Sequence, residues 1–189
     1  MTPSILNKPC SQERLEQMYG PDNYYWYLNS PEFRRLFTMP IATWANNFGD
    51  SVLDVGCGVG TLADYIMMPY LGIDGSQNAI NRARTWLPDK QFKKASIADL
   101  SFSNESFGTI IFGGILEVLV KADRRLEFVE SYAQKFNASH IIVFDLVRLD
   151  DRPFDNRYHL VQRTYSSAQV DNLLEAKKHR KVTVYRCRK

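Results

Sequence analysis

The residues best suited to chemistry lie between 52 and 60, where Val52, Leu53, Asp54 and Val55 are followed by Gly56, Gly58 and Gly60 at alternate positions. Glycines lack a Cβ and let backbone approach a ligand where any side chain would collide. The short β-favouring apolar run before them reads as a buried strand that stops in a turn. On these grounds the stretch is a small-molecule cradle, with a purely structural turn as the competing reading. The spacing excludes a dinucleotide fingerprint, whose third glycine comes about five residues after its first, because Thr61 stands there. Asp74 ends the next apolar run. An aspartate at a strand end is commonly a turn former, yet its two oxygens can also accept two hydroxyl hydrogens side by side.

These groups need a scaffold, and the pattern around them alternates. Strand 51–55 leads to a helix near 60–67, strand 70–74, a helix over 77–86 capped by Ser76, and a strand near 91–95. A polar connection then runs to Glu105, Thr109–Phe112 is a fourth apolar strand, and a helix from about Ala122 feeds strand 140–144. Such alternation predicts an α/β fold: one Rossmann-like domain whose mostly parallel central sheet is covered by helices on both faces. Ligands in such sheets sit at the carboxyl ends of the strands. Residues 145–157 read as a loop over that end, 158–165 as extended, 167–176 as a helix, and 182–187 as an antiparallel last strand. Before the core, residues 1–48 read as an N-terminal helical arm and lid of the same domain, and 49–189 as its ligand-binding core. Ser11 caps a helix reaching Tyr19, Tyr24 to Tyr27 form an aromatic cluster, and Ser30-Pro31 starts a helix through Asn47 that Pro40 should kink.

A chain of 189 residues, 44% hydrophobic and with a formal charge of +3, has room for one sizeable core. Its bulk electrostatics do not demand a nucleic-acid or membrane partner. Cys10, Cys57 and Cys187 are too widely spaced for a disulfide framework or a zinc site, which fits a reducing, cytoplasmic setting. No apolar run approaches the roughly 18 residues of a membrane span.

The run Asp54-x-Gly56-x-Gly58-x-Gly60 resembles the first motif of the class I S-adenosylmethionine-dependent methyltransferases, and three later sites line up in that family's order. Asp74 falls where the family places the acid that grips both ribose hydroxyls. Asp99-Leu100-Ser101-Phe102-Ser103-Asn104-Glu105-Ser106-Phe107 is similar to a stretch of many small-molecule methyltransferases. Phe112-Gly113-Gly114-Ile115-Leu116-Glu117-Val118-Leu119 resembles the strand exit under the methionine part of the cofactor. The resemblance implies S-adenosylmethionine as cofactor and S-adenosylhomocysteine as product, with Asp54, Gly56, Gly58, Gly60, Asp74, Gly75, Ser96, Ile97 and Gly113 around it. Two positions depart from the pattern: Ser96 replaces an adenine-binding acid, a contact that could pass to Asp99, and Gly75 replaces a bulky residue that covers the adenine.

Methyl transfer from a sulfonium is an in-line displacement with a neutral leaving group, so alignment matters most, and a base is needed only when the acceptor must shed a proton. Many relatives offer a histidine where this chain has Val118. No catalytic residue follows from the resemblance. His159, Asp145 and the N-terminal tyrosines are candidate bases by location, while His140 and His179 read as structural or solvated. Tyr24, Tyr27, Arg148 and His159 are candidate acceptor-binding residues, and the acids after the fifth strand do not make a convincing metal site. The favoured function is methylation of an O or N atom of a small molecule. The alternatives are an RNA or protein methyltransferase using the basic terminus (Lys177 to Lys189), where a solvated edge strand explains the charge equally well, and a non-catalytic cofactor-binding module.

Overall fold

In a computed structural model of the chain, residues 11–20, 38–146, 158–166 and 180–187 are described. The sheet is built from seven strands: β1 (Val52–Val55), β2 (Tyr70–Asp74), β3 (Gln91–Lys94), β4 (Thr109–Gly113), β5 (His140–Leu146), β6 (Tyr158–Ser166) and β7 (Arg180–Cys187). Their order is β3-β2-β1-β4-β5-β7-β6. The first five are parallel, and β7 runs antiparallel to both β5 and β6. The order reverses beside β1, so a crevice opens at the carboxyl ends of β1 and β4, the switch point at which such sheets hold ligands.

Burial on both faces explains the apolar runs. β1 and β2 are buried at every position, whereas the edge strand β3 buries only Phe92. Alternate residues feed two cores. Val52, Tyr70, Ile111, Ile142 and Phe144 pack with Ile41, Ala42 and Ala45 of α2 (Met39–Asn47) and Ile80 and Ala83 of α3 (Gln77–Trp86). Leu53, Val55, Ile73, Ile110, Phe112, Ile141 and Val143 meet Phe128, Val129, Tyr132 and Phe136. These four lie on a helix, Arg125–Lys135, or at its C-terminal cap, and that helix follows a single turn at Leu116–Leu119; the two are α5 and α4 in chain order. Fully burying each such large apolar side chain contributes about 1.5–3 kcal/mol, which makes these two layers the main source of stability.

The expected helix over 60–67 shrinks to one 3₁₀ turn, Ala63–Tyr65. Asn46 of α2 is the reason: its amide donates to the Tyr65 carbonyl at 2.9 Å and its carbonyl oxygen accepts the Met67 N–H at 2.8 Å, satisfying groups that a longer helix would have paired. Pro40 stands in the first turn of α2, where its missing N–H disturbs nothing, and residues 30–37 lie outside the described residues. The expected helix from Ala122 begins as a 3₁₀ turn, Ala122–Arg124, before α5. At the C-terminus two long strands form a hairpin, and β7 carries its basic residues between β5 and β6. The edge-strand explanation of the basic terminus is therefore incorrect for Arg180 to Cys187, since among the described residues β6, and not β7, is the edge strand on that side of the sheet.

Candidate functional site

The glycine loop turns directly out of β1. The N–H groups of Gly56 and Cys57 both donate to the Ile73 carbonyl, at 2.8 and 3.0 Å, which ties the loop to the end of β2. Gly58 has φ +55°, a left-handed backbone that side chains rarely adopt, and its N–H donates to Asp74 Oδ2 at 3.0 Å. The Ser76 N–H donates to Asp74 Oδ1 at 2.8 Å. Asp74 is 6% exposed, and burial pushes its carboxyl above the ordinary range, with the Ser76 and Gly58 N–H groups pulling it back. Each oxygen takes one backbone donor in a carboxylate that offers about four acceptor positions, so acceptor capacity for a vicinal diol remains.

Other residues of the set serve the loop from below or beside it. Asp54 is 3% exposed, and its Oδ2 accepts the Tyr70 hydroxyl at 2.8 Å. Burial raises its carboxyl to about 7, against the Tyr70 hydrogen bond, with the Asp74 charge adding to the rise. A Cβ at Gly60 would stand 2.8 Å from Phe92 Cζ, so that glycine serves packing of the loop on β3. A Cβ at Gly56 would collide with Ile115 Cγ2. A Cβ at Gly113 or Gly114 would meet no heavy atom within 4 Å, which leaves open space at the exit of β4.

Ser96 is exposed, and its hydroxyl accepts the Ala98 N–H at 3.2 Å; Ile97 is buried, and its carbonyl accepts the Tyr132 hydroxyl at 2.8 Å. The idea that an adenine contact passes to Asp99 meets a competing partner. Asp99 Oδ1 accepts both the N–H and the hydroxyl of Ser101, at 2.8 and 2.6 Å, capping a 3₁₀ turn at Leu100–Phe102, and the Ser101 hydrogen bonds hold its carboxyl below the usual range.

His159 does not join the others. The register pairs it with Arg186, Arg186 with His140, His140 with Thr109 and Thr109 with Val52, which places its backbone level with the start of β1. Gly113 is four strand positions beyond Thr109, about 13 Å away along the sheet. His159 opens a strand that runs toward the site, so its backbone stands apart from the strand ends that the other residues share. Tyr24, Tyr27 and Arg148 lie outside the described residues. His140 stacks on Phe48 with ring centroids 4.7 Å apart, the structural role expected of it. Among the described residues no group of three or more His, Cys, Asp or Glu side chains is placed to hold a metal ion.

Sequence reasoning put α1 (Gln12–Met18) in the N-terminal arm and lid but did not single out Glu16. The Glu16 carboxylate accepts the Ser76 hydroxyl and the N–H groups of Gln77 and Asn78, at 2.7, 2.8 and 2.9 Å. Ser11 announced the helix, but nothing local could announce a partner some sixty residues away.

A family described as a methyltransferase domain matches residues 52–138, which span the glycine loop, Asp74 and the β4 exit. Over those residues the chain is similar to that family. Solved structures share the fold. A magnesium protoporphyrin IX methyltransferase from Synechocystis PCC 6803, with bound S-adenosylmethionine, is 15% identical with a TM-score of 0.64; the match covers 95% of this chain and 99% of that one. The plantazolicin methyltransferase in complex with a pentazolic desmethyl analogue and S-adenosylhomocysteine is 15% identical with a TM-score of 0.63, covering 94% and 96%. A protein from Thermoplasma acidophilum is 18% identical with a TM-score of 0.63, covering 95% and 98%. No curated protein sequence matches the chain. The donor set suits S-adenosylmethionine, the molecule bound in the first of these structures: a diol acceptor in Asp74, a backbone cradle at Gly58 and open space beside Gly113.

Proposed function

We propose that this chain is an S-adenosylmethionine-dependent methyltransferase that transfers the methyl group to an O or N atom of a small-molecule acceptor. Asp74 carries the reading of the donor side. Its two oxygens, each already oriented by one backbone N–H, receive the ribose hydroxyls, and Gly58 allows the loop to lie against the cofactor without a side chain between. Ser96 and Ile97 border the adenine, and the backbone of Gly113 borders the methionine part. Asp54 supports the loop from beneath through Tyr70. Bound S-adenosylmethionine supplies an electrophilic methyl group on a sulfonium, and its displacement leaves a neutral thioether. The chain's own work is alignment and exclusion of water.

The small-molecule reading is supported by the Asp99-to-Phe107 stretch and by structural relatives described with magnesium protoporphyrin IX and a plantazolicin analogue. The same reading assigns the lid to residues 1–48 and acceptor binding to Tyr24, Tyr27 and Arg148, which lie outside the described residues. With Val118 in place of a histidine, an acceptor that is already a nucleophile at neutral pH fits best. A cytoplasmic setting belongs to the same reading. An RNA or protein acceptor would use the basic terminus.

Calorimetry with S-adenosylhomocysteine tests the donor side. Asp74→Ala should weaken binding by about 100-fold or more, since charge-assisted hydrogen bonds at about 1.5–3 kcal/mol each are lost. Unchanged affinity would show that the ribose lies elsewhere. Incubating the protein with labelled methyl donor and a cell extract tests the acceptor: label in the small-molecule fraction supports the proposal, and label confined to RNA or protein overturns it.

A further inference from the structure

The helix α1 is held in an unusual way. It buries none of its own residues, and at seven residues it is too short to persist alone. What fixes it is polar. Besides the three bonds from Ser76, Gln77 and Asn78 to the Glu16 carboxylate, the Asn78 side-chain amide donates to the Glu16 carbonyl at 3.1 Å and the Gln12 amide donates to the Gly75 carbonyl at 3.0 Å. Four of these five contacts converge on Glu16, and all five reach the segment from Gly75 to Asn78, beside Asp74. Held there, α1 and the residue that caps it set two side chains against the cradle. Leu15 Cδ1 lies 3.3 Å from where a Cβ of Gly75 would stand, and the Tyr19 hydroxyl lies 3.3 Å from where a Cβ of Gly58 would stand. The side chain missing at Gly75 is thus replaced in space by one from α1, and Asp74 beneath is left 6% exposed.

A carboxylate with four donors, the Gln12 side-chain amide at 2.7 Å being the fourth, prefers its charged form strongly. Burial acts against this, but the Asn78, Gln77, Ser76 and Gln12 hydrogen bonds win and bring Glu16 down to about 2. Glu16 is therefore charged throughout the neutral range, and contacts that rest on hydrogen bonds without an apolar core are of the kind that open without global unfolding.

We propose that α1 is a strap across the donor site, latched by Glu16, and that Leu15 and Tyr19 on it cover the bound cofactor, so that cofactor arrival and release require the latch to open. This rests on the methyltransferase reading above. Glu16 is a positioning residue: it acts through α1 and touches no reacting atom. It also caps α3 in the ordinary sense, accepting N–H groups at a helix start, so a stability change alone would not distinguish a strap from a cap.

The test is the rate of S-adenosylhomocysteine dissociation, followed by surface plasmon resonance on the full chain. Glu16→Gln removes the charge and an acceptor, and should raise the dissociation rate by about 10-fold. Leu15→Ala leaves the latch and α3 intact and should also raise the dissociation rate, by several-fold, with the unfolding midpoint unchanged. Hydrogen exchange should show α1 amides gaining protection when S-adenosylhomocysteine binds. If the wild-type chain binds but both variants dissociate at its rate, the strap is overturned and the donor site stands. If the wild-type chain does not bind, the methyltransferase reading falls and the strap with it.

Discussion

Asp54 shows how one residue can carry a family motif and still face the interior. Its carboxyl lies beneath the glycine loop with Tyr70 as hydrogen-bond donor, and burial lifts it to about 7. The sign of the consequence follows from proton counting. Between about pH 4 and 7 the folded chain retains a proton at Asp54 that the unfolded chain has released, so this group makes stability fall as pH rises through that window and level off above it. Asp54→Asn keeps an oxygen for the Tyr70 hydroxyl and removes the titration. In the cofactor-free protein, its stability relative to wild type should improve between pH 5 and pH 8, by about 1–3 kcal/mol. Urea midpoints at the two pH values check this, and parallel behaviour of the two proteins would place the Asp54 carboxyl in its ordinary range. The motif spelling made Asp54, Gly58 and Asp74 legible. What it could not reveal was their division of labour, because whether a carboxyl meets a ligand or a tyrosine is decided by Tyr70, which enters from the neighbouring strand.

At the scale of elements, the regular parts were readable because each carries its own signal. Short apolar runs buried on two faces mark the strands, and Ser76 caps α3 by accepting the Ala79 N–H at 3.2 Å. The failures share a cause, a partner distant in sequence. Asn46 shortened the helix after the glycine loop, and Glu16 brought α1 to the site. The Tyr132 hydroxyl makes the same kind of link. It joins α5 to the Ile97 carbonyl in the segment after β3, while its ring packs in the aromatic layer against Phe112 and Phe128. Tyr132→Phe should keep that packing and leave a buried carbonyl without its donor, lowering stability by about 1–3 kcal/mol. Denaturant unfolding measures the loss, and hydrogen exchange should localise loosening to residues 96–98. A Tyr132→Phe protein as stable as wild type would mean that water replaces the hydroxyl.

For the whole molecule, the proposed donor site draws on elements far apart in the chain: the loop after β1, the end of β2, the segment after β3, the exit of β4 and α1. A ligand that bridges them binds the folded chain and not the unfolded one, so it must raise the apparent stability. At a free concentration about 100 times its dissociation constant the gain is about 2.7 kcal/mol. In a chain of 189 residues each kcal/mol moves the midpoint by about 2–4 °C. S-adenosylhomocysteine at that concentration should therefore raise Tm by about 5–11 °C, and the shift should grow with the logarithm of concentration. Asp74→Ala should abolish most of the shift at the same concentration. NAD should produce none, because Thr61 stands where its phosphates would need a glycine. The shapes of these curves separate two failures that a single Tm would merge. A shift that survives in Asp74→Ala keeps the cofactor and moves the ribose, whereas a shift produced by NAD and absent with S-adenosylhomocysteine assigns the crevice at the switch point to a different ligand.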